Sequence, residues 1–310
     1  MKILLSICCI FFFFTANSQT ALIDSIITRE SLTYSISALA NDSMQGRPTG
    51  TAEAKNAATF IAEQFQKAGL KPVAGNDHFF SYYPLKYSVG NKIIPVNAIN
   101  VIGAIRGNES PDTSIIFSAH YDHLGLKKFI RKDTGDSIYN GANDNASGVS
   151  VIIELAKYYT ALKNNRYTLL FIAFSGEELG LLGSDYTSKH LDLSHVKTVI
   201  NFDMVGRPIK DRGDHCMVIA EFSDPIIKKL NARLPKENKF FIYDQYPEED
   251  LYERSDHYSF KEVKTSFSII CSSPYDEYYH TVEDEIGTID FDFLLNAAKK
   301  IAIACEIFIK

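Results

Sequence analysis

Five short clusters carry the residue types that could do chemistry in this 310-residue chain. They are His120-Tyr121-Asp122-His123, the run Gly141-Ala142-Asn143-Asp144-Asn145-Ala146-Ser147-Gly148, Ser175-Gly176-Glu177-Glu178, Asn201-Phe202-Asp203-Met204 and Tyr279-His280-Thr281. Imidazole nitrogen and carboxylate oxygen are donors that suit zinc, and a catalytic zinc keeps one position open for water. Two ions lying close together need a carboxylate between them. His120, Asp144, Glu178, Asp203 and His280 would supply five protein ligands for two zinc ions per chain. Such a pair lowers the pKa of water and clamps the reacting oxygens. A neighbouring carboxylate that binds no metal can then take the proton. Glu177 beside Glu178 offers one of each. Taken singly, each residue has an ordinary reading. Asp144-Asn145 could cap a helix, and a Glu-Glu pair could be a solvated helix start. Asp203 is harder to dismiss, because a carboxylate after an apolar run needs partners or a metal.

The elements around the clusters alternate. Helical spacing runs over Ile27–Leu39, Thr51–Ala68, Ala146–Leu162, Leu179–Lys189, Pro225–Leu234 and Phe291–Phe308. Strand-like runs cover Val96–Ile105, Ser114–Ala119, Tyr167–Phe174, Lys197–Phe202, Met217–Ala220 and Thr265–Cys271. Asp42–Gly50 is turn-rich, and the Tyr-rich stretch Phe79–Ile94 reads as an antiparallel edge hairpin. Strands alternating with helices predict an α/β fold of three layers, with a mostly parallel central sheet and helices on both faces. In open α/β sheets the site lies beyond the carboxyl ends of the strands. All five clusters fall there by this reading, so residues far apart in sequence should converge.

Bulk properties set bounds. Hydrophobic content of 45% and charged content of 23% are ordinary for a globular chain. A net charge of −6 argues against nucleic acid as partner, since phosphate binding needs a basic surface. Residues 1–18 read as a signal peptide: Lys2, an apolar run over Ile3–Phe14, then small residues at Ala16 and Ser18. The run is too short to span a bilayer. The expectation is an exported chain, periplasmic or extracellular, with no stable membrane insertion and one domain over residues 19–310. Lipid attachment at Cys8 or Cys9 is the lesser alternative. Cys216, Cys271 and Cys305 remain, and three cysteines allow one internal disulfide at most. Cys305 lies on the apolar face of the last helix and reads as core.

The whole set resembles the M28 family of zinc peptidases. The resemblance runs from about Asn100 to the C-terminus, and more loosely from Ile27. It rests on His120-x-Asp122-His123, the Gly141–Gly148 run, Glu177-Glu178, Asn201-Phe202-Asp203-Met204, Arg254-Ser255-Asp256-His257 and His280-Thr281-x-x-Asp284. It implies that His120 and Asp203 bind one zinc, that Glu178 and His280 bind the other, and that Asp144 bridges them. It further implies Glu177 as general base, Asp122 as the carboxylate that orients His120, and Tyr279 as a polariser of the scissile carbonyl. Arg254 would help to hold the substrate or the tetrahedral intermediate. His257 would be structural or pocket-lining. The implied activity is that of an aminopeptidase acting on peptide or protein N-termini. A carboxypeptidase or dipeptidase would need a basic clamp beyond Arg254. A glutaminyl cyclase uses one zinc, and the relatives with that activity lack the equivalent of His120. Phe79–Tyr87 and Phe240–Glu253 are expected to shape the pocket.

Overall fold

The computed structural model describes residues 20–310 apart from 74, 90–91, 128–134, 211–212 and 236–238. The expected signal segment, residues 1–18, lies outside the described residues. Six helices are used below: α1 (Arg29–Leu39), α2 (Ala52–Lys67), α3 (Gly148–Leu162), α4 (Leu182–His190), α5 (Ser223–Asn231) and α6 (Phe291–Ile309). The strands are β1 (Phe80–Val89), β2 (Lys92–Ile105), β3 (Ser110–His120), β4 (Gly125–Leu126), β5 (Ile138–Tyr139), β6 (Tyr167–Phe174), β7 (Val196–Asp203), β8 (Cys216–Ile219), β9 (Phe241–Ile242) and β10 (Ser266–Ile270).

Eight strands form one mixed sheet in the order β1-β2-β6-β3-β7-β10-β8-β9, and β4 and β5 form a separate ribbon. The central strands β6, β3, β7 and β10 are mutually parallel. The expected edge hairpin exists, with β1 and β2 antiparallel, and β2 is one strand from Lys92 onward. β6 and β7 flank β3 on opposite sides. The ends of these three neighbours therefore open into one crevice, where such sheets bind their ligands.

Side-chain alternation explains the layers. On β3, Ile115, Phe117 and Ala119 face a core shared with α1, α2, α3 and α6. Ile116 faces the other side with Leu170, Ile172, Phe174 and Phe260. Successive strand residues point to opposite faces, so apolar runs without alternation mark strands buried on both sides. Helices start where side chains take up orphan amides. Thr51 Oγ1 accepts from Ala54 N, and the Asp290 carboxylate accepts from the amides of Asp292 and Phe293. Cys216 and Cys271 form a disulfide, and Cys305 is a buried thiol in α6.

The two helices next to the strand ends, α3 and α4, begin later than their apolar spacing suggests. α3 starts at Gly148, because Asp144 and Asn145 hold non-helical backbone angles. α4 starts at Leu182, after Leu181 takes a left-handed φ of 61°.

Candidate metal centre

His120 is the last residue of β3, and Asp203 the last of β7. Glu177 and Glu178 follow β6 after a turn through Ser175-Gly176. Asp144 lies between the β4–β5 ribbon and α3, and His280 lies on the loop between β10 and α6. His280 holds a left-handed φ of 54°, a costly conformation for a bulky residue that recurs at functional sites.

Asp144 stands at the centre and uses its two oxygens separately. Its Oδ1 is 3.3 Å from His120 Nε2. Its Oδ2 is 3.2 Å from His280 Nε2. His120 Nε2 also lies 3.5 Å from Asp203 Oδ1, and His280 Nε2 lies 3.3 Å from Glu178 Oε2. The donor atoms of His120, Asp144 and Asp203 all fall within 4.8 Å of one another, and so do those of His123, Asp144 and Glu178. Glu177 stands slightly back, with Oε2 4.0 Å from His120 Nε2.

Charge balance makes this donor set fit zinc. Four buried or half-buried carboxylates converge with three imidazoles, and buried charges need partners or metals. Nitrogen and oxygen donors in this mixture suit zinc. Burial raises the Asp144 carboxyl, but the imidazoles of His120, His123 and His280 outweigh it and hold it well below the carboxylate range. Burial lowers His280, yet Asp144 and Glu178 override that and push it up to about 10. Burial drives Glu177 well above its ordinary value, and Asp203, Asp256 and Glu178 add to this against the opposing pull of His120.

The surrounding shell fixes the donors. Asp203 Oδ2 accepts from Ser255 Oγ at 2.6 Å. Asp284 accepts the amides of Asn143 and Asp144 and pairs with Arg207 at 3.1 Å, so it anchors the segment that carries Asp144. Asn145 ties that segment to β7, donating to Phe202 O and accepting from Met204 N. Asp122 is arranged differently from the expectation. Its carboxylate lies 3.8 Å from His120 Nδ1, and its own backbone carbonyl is nearer at 3.2 Å. The carboxylate instead accepts from Thr49 Oγ1 at 2.7 Å and from Glu177 N at 3.3 Å. It thus orients the Glu177 segment as directly as it does His120.

Sequence reasoning assigned no role to His123, Arg47 or Thr49. His123 is buried, with Nδ1 2.8 Å from Glu178 Oε1. Its place in the quoted His-x-Asp-His run was the available signal. His257 lies buried against the Tyr252 ring and outside both donor groups, and burial pushes it down to about 3.

An apolar cleft adjoins Asp203. Met204, Leu251, Ile270 and Tyr279 line it, with Arg254 at its edge. Leu251 brings the expected contribution of Phe240–Glu253. Arg254 Nη1 pairs with Glu249 at 3.1 Å, and Nη2 lies 3.5 Å from Tyr279 Oη. Tyr279 stacks on His280 at 3.9 Å. Burial and then the nearby carboxylates push its phenol upward, so it keeps its proton.

An α/β sheet whose parallel strand ends gather such a donor set defines a candidate metal centre. The chain belongs to peptidase family M28, whose model matches residues 100–304. It is 33% identical over 174 residues to a probable zinc metalloprotease of Phaeosphaeria nodorum, covering 51% of this chain and 34% of that protein. It is 35% identical over 111 residues to aminopeptidase YwaD of Bacillus subtilis, covering 34% of this chain and 22% of that one. The chain spans about a third or less of the length of these relatives. Its fold is similar to that of BSAP, a zinc aminopeptidase from Bacillus subtilis, with a TM-score of 0.71 at 20% identity over 92% of this chain and 96% of that one. It is also similar to that of Porphyromonas gingivalis glutaminyl cyclase, with a TM-score of 0.67 at 18% identity over 91% and 99% of the two chains.

Proposed function

We propose that the protein is a two-zinc aminopeptidase that removes N-terminal residues from peptides. One observation carries this reading: Asp144 offers one oxygen to the His120–Asp203 pair and the other to the His280–Glu178 pair. That is the placement a bridging carboxylate needs. His120 and Asp203 would hold one ion, and Glu178 and His280 the other. Zinc at these positions would supply Lewis acidity toward the carbonyl and acidify water.

The chain's own residues do the rest. Glu177 Oε2, just outside the two donor groups, takes the proton from the attacking water and delivers it to the leaving amine. Tyr279 keeps its phenol protonated and donates to the carbonyl oxygen as charge develops there. The cleft over Met204, Leu251 and Ile270 takes the side chain of the N-terminal residue, and its lining favours an apolar one. The carboxylates beside it suit a cationic α-amine. Arg254 is already paired with Glu249, which weighs against a clamp for a substrate carboxylate. The reading includes export, which the Cys216–Cys271 disulfide supports, because disulfides persist in oxidising compartments.

Paired fluorogenic aminoacyl substrates, each free and N-acetylated, test the reading. Cleavage of the free forms with loss on acetylation is expected. Equal cleavage of the acetylated forms, or cleavage from the C-terminus, would overturn it.

A further inference from the structure

The turn-rich segment before α2 buries an arginine, Arg47, in the field of the carboxylates of Asp122, Asp144, Asp284 and Glu178. Arg47 is fully buried, yet among the described residues no carboxylate hydrogen-bonds to its guanidinium. All of its side-chain hydrogen bonds go to backbone carbonyls. Nε donates to Tyr121 O at 2.6 Å, Nη1 to Leu39 O and Asn140 O at 2.6 Å each, and Nη2 to Gly141 O at 3.0 Å. Tyr121 sits between His120 and Asp122. Asn140 and Gly141 lead into Asp144. One guanidinium therefore joins the two chain segments that bring His120 and Asp144 together. The planar five-donor fork makes this possible, and a lysine ammonium could not match it.

Two neighbours extend the clamp. Thr49 Oγ1 donates to Asp122 Oδ2 at 2.7 Å and accepts from Gly176 N at 2.9 Å, which ties in the segment that leads to Glu177 and Glu178. Gly46 presses against the β4–β5 ribbon so closely that an added Cβ would lie 2.5 Å from Tyr139 O. Gln45, Gly46 and Arg47 all hold left-handed φ angles, at 44°, 70° and 50°. Such backbone persists only where its surroundings over-determine it. The clamp precedes the residues matched to the family, which begin at 100.

We propose that Arg47 and Thr49 are positioning residues that assemble the metal-ligand loops, so that zinc affinity depends on a segment carrying no ligand. The inference rests on the two-zinc reading of the site. Partners behind metal ligands typically set affinity by about 10–100-fold. Arg47→Met keeps length and loses every donor. Thr49→Val keeps shape and loses the hydroxyl. Tyr159→Phe is the control: it removes a buried hydrogen bond to Ala302 O, about 16 Å along α3 from Gly148.

Zinc Kd is measured by chelator competition, with Tm measured on the same samples. Arg47→Met and Thr49→Val are expected to raise Kd by about 10-fold or more, whereas Tyr159→Phe lowers Tm with Kd unchanged. If Arg47→Met does not fold, Thr49→Val decides. Wild-type affinity in the variants that fold, or a Kd that follows Tm equally in the control, would overturn the inference. A wild-type chain that bound no zinc would instead overturn the reading of the site.

Discussion

Replacing Glu177 by Gln isolates proton transfer from metal binding. The amide has the size of the carboxylate but cannot accept the proton. Glu177 Oε2 lies 4.0 Å from His120 Nε2, outside the 3.2–3.5 Å spacing that Asp144, Asp203 and Glu178 keep with their imidazoles. The hydrogen bond that its backbone N–H donates to Asp122 Oδ1 survives the change. The proposed zinc donors should therefore stay in place. A positioned acid–base group contributes about 10²–10⁴-fold, which is about 3–5 kcal/mol of barrier at 1.36 kcal/mol per decade. The expected result is a kcat lower by about 10³-fold, with zinc content and KM nearly unchanged. Removing one negative charge from a cluster of carboxylates should leave Tm equal or higher. Steady-state kinetics, elemental analysis and a thermal melt on one preparation check all three. A Gln variant within tenfold of wild type, or one that lost zinc, would refute the assignment of Glu177.

Two further predictions follow from the neighbouring side chains. Tyr279→Phe removes the phenol that burial keeps protonated. Losing one such donor should lower kcat by about 10²-fold with little change in KM, as checked by initial rates on an aminoacyl substrate. Asp284→Asn breaks the buried pair with Arg207 and weakens the hold on the Asn143 and Asp144 amides. Arg207 also pairs with Asp276 at 2.8 Å. The change should cost about 3 kcal/mol in urea unfolding, and a cost under 1 kcal/mol would show that this second carboxylate alone satisfies Arg207.

Two of the candidate donors, His120 and Asp203, were easiest to read in the sequence because each ends a strand. An apolar run that stops at His120 or Asp203 shows both the strand and the polar residue at its exit. Tyr167–Phe174 matched its strand residue for residue, since a run buried on both faces has sharp ends. Helix starts slipped by two or three residues at Gly148 and Leu182, where backbone geometry sets the boundary and apolar spacing does not. The clamp at Arg47 and Thr49 left no pattern. A side chain that bonds carbonyls distant in sequence has no period and no partner of complementary type to suggest it. Its one signal was composition: an arginine and a threonine set among Gly46, Pro48 and Gly50, where turns are expected. The disulfide was limited to one, but its pairing needed β8 and β10 as sheet neighbours.

The division of Asp144 between two donor pairs is the centre of the account, and metal stoichiometry tests it most directly. Purified protein is stripped with a chelator, titrated with zinc, and its bound metal and activity are measured at each step. Saturation at two ions per chain is expected, with full activity only once both are bound. Saturation at one ion with full activity would contradict it.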